Sequence, residues 1–128
     1  MRDLASNIGA RLGLAPAVAT AAATGPAIDT RGFGSVAFVV STGAIVGSGD
    51  FGVKLQESDT DQAGDFTDAA AAAVKSDAPA TLAASAAYRL GYTGHKRFVR
   101  LALTRVGGTS IAVGAVAVLS DARARPVA

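Results

Sequence analysis

Residues 96–120 read KRFVRLALTRVGGTSIAVGAVAVLS. From Lys96 to Arg105 the pattern alternates: Val99, Leu101 and Leu103 fall on one face, and Phe98, Arg100, Ala102 and Thr104 on the other. A period of two marks a strand, because successive side chains of a pleated backbone point to opposite sides. Val106-Gly107-Gly108-Thr109 then reads as a tight hairpin turn. Ser110 to Ser120 is extended again, with Ile111, Val113, Ala115, Ala117 and Leu119 on one side.

The same grammar runs upstream. Residues 50–70 read DFGVKLQESDTDQAGDFTDAA. Phe51, Val53 and Leu55 alternate with Lys54 and Gln56, and the polar run 58–64 is a long hairpin tip before Asp65-Phe66-Thr67 re-enters the sheet. Residues 34–41, GSVAFVVS, are apolar on both parities, which predicts a strand covered on both sides. Thr81 to Leu90 is expected to be extended, and Ala17 to Thr24 can extend as a strand before the turn at Thr24-Gly25-Pro26. Residues 69–80 are alanine-rich but are cut short by Asp77 and Pro79, so an irregular stretch or a single helical turn is expected. About seven or eight short strands between glycine-rich turns predict an all-β antiparallel sandwich or jelly roll, with a small barrel as the alternative. No long amphipathic helix separates the strands, which argues against βαβ units.

The 128 residues suit one domain. Residues 1–14 read as an N-terminal arm with Leu4, Ile8 and Leu12 spaced by four. Residues 15–120 are the sandwich, and residues 121–128 are a basic C-terminal tail holding Arg123 and Arg125. The arm mimics a secretory leader, but Asp3, Asn7 and Pro16 interrupt that pattern. No apolar run reaches the roughly 18 residues that a membrane helix needs. There is no cysteine, so disulfides and thiolate metal sites are excluded. The aromatic fraction is 5% and alanine dominates, which implies a thin core and stability drawn in part from neighbouring subunits. The net charge is +2 with dispersed basic residues, and no dense patch with stacking aromatics suggests direct nucleic-acid binding.

Candidate chemistry is sparse. Asp59, Asp61 and Asp65 could offer oxygen ligands to calcium, but Ala63 and Ala70 stand at the fifth and twelfth positions of an EF-hand register, and the same residues suit a solvated tip. His95 is the single histidine and has no local nucleophile or orienting acid, so a surface or interface role is expected. Asp50, Glu57 and Asp65 could in principle pair as acid and base but read as surface decoration. Gly43 to Gly49 lacks the lysine of a phosphate loop, and Ala37 takes the third glycine position after Gly32 and Gly34. No catalytic residue, cofactor or enzymatic activity is expected. Lys96, Arg97 and Arg100 form a solvated strand face or a subunit contact, with the acidic tip around Glu57 and Asp59 as their complement, within or between chains.

Four segments in order, IDTRGFGSVAFVV, VKLQESDTDQAGDFTDAA, YRLGYTGHKRFVRLALT and SIAVGAVAVLSDARARPV, resemble a family of small virion structural proteins of tailed phages and prophages. The resemblance runs from about Ile28 to Val127 and rests on order and spacing. It implies a capsid decoration or cement protein on the outer head surface, with the major capsid protein and further copies of itself, as a homotrimer, for partners. Assembly would occur in the host cytoplasm, without nucleic-acid or membrane contact. The expected interface residues are Leu4, Ile8, Leu12, Glu57, Asp59, Lys96, Arg97, Arg100, Arg123 and Arg125. A carbohydrate- or receptor-binding sandwich of a head fibre, or a head–tail connector or tail component, is the alternative.

Overall fold

A computed structural model describes residues 3–123. Its strands are β1 (Gly9–Ala19), β2 (Ala23–Thr24), β3 (Ile28–Asp29), β4 (Ser35–Val46), β5 (Asp50–Ser58), β6 (Thr67–Asp68), β7 (Val74–Ser76), β8 (Ala87–Tyr92), β9 (Phe98–Gly107) and β10 (Ser110–Ser120). They form two antiparallel sheets. Sheet A has the order β1-β10-β4-β8-β7; sheet B has the order β2-β9-β5-β6, with β3 also on β9. The inward positions of both sheets meet in one core around Phe38, Phe51, Leu101, Leu103, Ile111 and Leu119, all essentially without solvent exposure. This is the expected β-sandwich. It has more strands than the seven or eight counted from sequence, because β1 begins inside the expected arm and β7, at 74–76, lies in the stretch expected to be irregular and is too short to show a period.

Four local expectations are corrected. Residues 9–14 of the expected arm belong to the sandwich: β1 begins at Gly9 and pairs with β10 from Gly9↔Leu119 to Ala19↔Ile111. Register shifts between Leu12 and Leu14 and between Leu14 and Ala17 let this edge strand pass Pro16. The first shift also sends Leu12 outward and Leu14 into the core, although they stand two residues apart. The leucine and isoleucine spacing that imitates a helix is therefore a bulged strand following a short 3₁₀ turn at Ala5–Asn7.

The turn at 106–109 does not close a hairpin. β9 lies in sheet B and β10 in sheet A, so the chain changes sheets there, as it does between β4 and β5. The two crossings pack backbone to backbone. Gly108 has φ +78°, and a Cβ added to it would collide with the Ser48 carbonyl oxygen and Gly49. Glycine supplies both the left-handed conformation and the close approach.

The extended stretch expected over 81–90 is a strand only from Ala87. Before it, Leu82 is a loop residue that plugs the core at 1% exposure, its N–H donating to the Phe51 carbonyl at 2.8 Å. Residues 71–73 form the single helical turn, a 3₁₀ one, that leads into β7. Finally, β4 is covered by this chain on one side only: Val36, Phe38 and Val40 are buried, while Val39 on the opposite side is 41% exposed.

Candidate interaction surfaces

The outer face of sheet B carries the charges. Arg97, just before β9, reaches Asp29 on β3 with two parallel bonds, Nε to Oδ1 at 2.9 Å and Nη2 to Oδ2 at 2.8 Å. The Arg97 hydrogen bond is the main reason that the Asp29 carboxyl is held below its ordinary value. Lys96 donates from Nζ to Asp59 Oδ2 at 2.8 Å, and that contact holds its ammonium above the usual lysine range. Arg100 donates from Nε to Gln56 Oε1 at 2.8 Å and stacks 4.4 Å from the centre of the Phe66 ring. Lys54 donates to Asp68 at 3.0 Å, and Gln56 donates to the same carboxylate at 3.0 Å.

The three basic residues singled out from sequence thus have partners within the chain. Only Lys96 meets the acidic tip; Arg97 and Arg100 are held by β3, β5 and Phe66. Glu57, at the base of the tip, accepts a hydrogen bond from the Tyr92 hydroxyl of sheet A at 3.1 Å. Within the tip, Asp65 accepts from Thr60 Oγ1 at 2.7 Å and Asp61 from Gln62 Nε2 at 3.4 Å. Among the described residues no three histidine or carboxylate groups converge as metal ligands, so Asp59, Asp61 and Asp65 do not form a common site. Asp50 lies elsewhere, accepting from Thr81 Oγ1 at 2.7 Å.

His95 is exposed at the rim of a shallow hollow of about 190 Å³ that also takes in Thr30, Ser35 and Tyr92. The two aliphatic hydroxyls there are committed elsewhere: Thr30 donates to the Arg97 carbonyl at 2.7 Å and Ser35 to Asp121 Oδ2 at 2.7 Å. Leu4 is exposed and Ile8 half-buried next to the short N-terminal turn. The Arg123 backbone N–H is tied to the Gly32 carbonyl at 2.9 Å, and Arg125 lies outside the described residues.

The outer face of sheet A has the opposite character. Leu12, Val116 and Val39 stand side by side across β1, β10 and β4, at 52%, 45% and 41% exposure. Val18, farther along β1 and opposite Ala112, is 67% exposed. β4 and β10 contain no charged residue, and Arg11 of β1 is in register with Ala117, on the inward parity. Of the residues expected at an interface only Leu12 belongs to this face. Its sequence signal was the apolar character of both parities in GSVAFVVS and SIAVGAVAVLS.

The chain is similar in fold to the crystal structure of the SPBc2 prophage-derived protein YomS, with a TM-score of 0.54 and 13% sequence identity. The likeness covers 88% of this chain and 92% of that one. No protein-family model and no curated protein sequence matches.

Proposed function

We propose that this chain is a structural protein of a phage particle, a decoration or cement protein that coats the outer capsid surface and stabilises the head by bridging capsomers. The observation that carries the proposal is the division of the sandwich into two outer faces. Sheet B presents a face whose charged groups satisfy one another within the chain. Sheet A presents an apolar face that the chain leaves open. An apolar sheet face on a two-layer body is suited to burying area against protein, which is how a cement protein works. The fold likeness to a prophage-derived protein over most of both chains supports the phage setting, as does the order of motifs along the sequence. On this reading the chain acts through contact area and copy number, with the major capsid protein and other copies of itself as partners.

Quantitative protein analysis of purified particles tests the proposal. A copy number near that of the major capsid protein is expected. A copy number fitting a single ring would contradict the proposal and point to a connector or tail component; absence from the particle would reject a virion role altogether.

A further inference from the structure

The relief of the sheet A face says what fits on it. Leu12, Val116 and Val39 form a ridge running across three strands. On one side of the ridge Pro16, Ser41, Gly43, Ala112 and Gly114 line a shallow trough of about 390 Å³. On the other side a second trough of about 360 Å³ has Ala37 and Gly91 in its floor and Lys75, Asp77 and Arg89 around it. The troughs exist because small residues are stacked in register: Ala37 pairs with Gly91, and a Cβ on Gly43 would press against Ala112 Cβ at 3.1 Å.

We propose that the occupant of this face is the same face of a second copy, packed sheet on sheet about a two-fold axis, with each ridge seated in a trough of the other copy. An isologous contact requires a surface that complements itself, and this one does so in three respects. Its polarity matches, since β10 and β4 carry no charge and the one charge of β1, the exposed Arg11, stands on the inward parity at the sheet edge. Its relief matches, a ridge of leucine and valine between two troughs, one holding Gly43, Ala112 and Gly114 among its lining and the other Ala37 and Gly91. Its rim matches, because the β7–β8 edge carries both signs, Arg89 Nε lying 3.6 Å from Asp77 Oδ2 with both side chains mostly exposed. Either charge would therefore find its opposite on a rotated copy.

Area agrees with this. Three strands, β1, β10 and β4, spaced by about 4.8 Å and about eleven residues long give a footprint of roughly 500 Å², which the shorter β8 and β7 raise to roughly 650 Å². The first figure lies at the upper end of the apolar patches usual on monomers, and the second approaches the roughly 800 Å² per partner of a standard stable interface. Two twisted sheets stacked about 10 Å apart is also the way the interior of this sandwich is built. A face that meets itself closes a pair, not the ring of three that the family resemblance implies. The pairing needs no particle; on the decoration reading it makes this face the contact between copies, not the contact with the capsid protein.

Sedimentation equilibrium of the purified full chain tests it. The wild type is expected as a concentration-dependent dimer. Val116→Asp, which puts one charge on the ridge, should weaken dimerisation by about a hundredfold or more, with an unchanged circular dichroism spectrum. Ala23→Asp on β2 of the other sheet should leave the dimer intact. If Val116→Asp does not fold, Val39→Lys makes the same measurement on β4. A wild type that stays monomeric up to the highest attainable concentration overturns the proposal. So does a dimer indifferent to both ridge variants, or a trimer that the ridge variants dissociate.

Discussion

Tyr92 of sheet A donates its hydroxyl proton to Glu57 Oε1 of sheet B at 3.1 Å and accepts the Lys96 backbone N–H at 3.1 Å. One side chain thus ties the two layers together at the base of the acidic tip. Tyr92→Phe should cost about 1–2 kcal/mol, since it removes a hydrogen bond to a charged acceptor and leaves the Lys96 N–H unpaired. Urea denaturation measures this. Burial, first of all, raises the Tyr92 hydroxyl above its ordinary value of 10.0. The unfolded chain therefore gives up this proton first. The stabilisation is complete below pH 10 and is lost as pH rises through the folded-state value. The gap between wild type and Tyr92→Phe should narrow above pH 10; a gap that widens there would contradict the assignment.

The Asp29–Arg97 fork should show the opposite pH behaviour. Its side chains are nearly half exposed, so Asp29→Asn is expected to cost no more than about 1 kcal/mol at neutral pH. Because the Asp29 carboxyl is held below its ordinary 3.8, chiefly by the Arg97 hydrogen bond, its contribution is present above that pH and is lost as pH falls through the folded-state value. Acid titration of denaturation midpoints should bring wild type and Asp29→Asn progressively together as pH falls below the ordinary 3.8. Parallel acid limbs would mean that the fork carries no folding energy.

Neighbouring glycines should separate cleanly. Gly108→Ala forces a left-handed backbone on alanine and drives its Cβ into the Ser48 carbonyl oxygen, so a loss of about 2 kcal/mol or more is expected. Gly107 has open space where a Cβ would stand and no left-handed φ. Gly107→Ala should leave the melting temperature within a few degrees of wild type. Equal effects at the two sites would refute the packed sheet crossing.

Successive residues of β4 should differ just as sharply. Phe38 is fully buried and Val39 is open to solvent. Phe38→Ala should cost about 3–5 kcal/mol, whereas Val39→Ala in the monomer should stay within about 0.5 kcal/mol. Chemical denaturation at a concentration too low for self-association is the measurement; a reversed order would mean that the strand presents its other face to the core.

These contrasts mark what could be read from the residues. The class of fold was legible, because Val99, Leu101 and Leu103 keep a period of two that only a strand uses. The sheet assignment was not. A Gly-Gly turn between two alternating runs has the same composition whether its strands pair or lie in different layers, and only the pairing of β9 with β5 and of β10 with β4 distinguishes the cases. β1 was hidden because its bulges move Leu14 inward and Leu12 outward, destroying the alternation that would have revealed it. The candidate surface was half legible. Apolar residues on both parities of 34–41 predict cover on two sides, whereas the chain covers one side only and leaves Val39 open, and periodicity does not say which side that is. The charged residues drew attention from sequence because their partners, above all Asp29 for Arg97 across 68 positions, are distant along the chain.

The most direct test of the virion role is a reconstruction of the intact particle encoded alongside this chain, with the two-sheet body located in the density. The decoration reading predicts copies of the sandwich on the outer capsid surface, repeated over the capsomers. Density for the sandwich confined to the tail, the portal vertex or the interior of the head would contradict it.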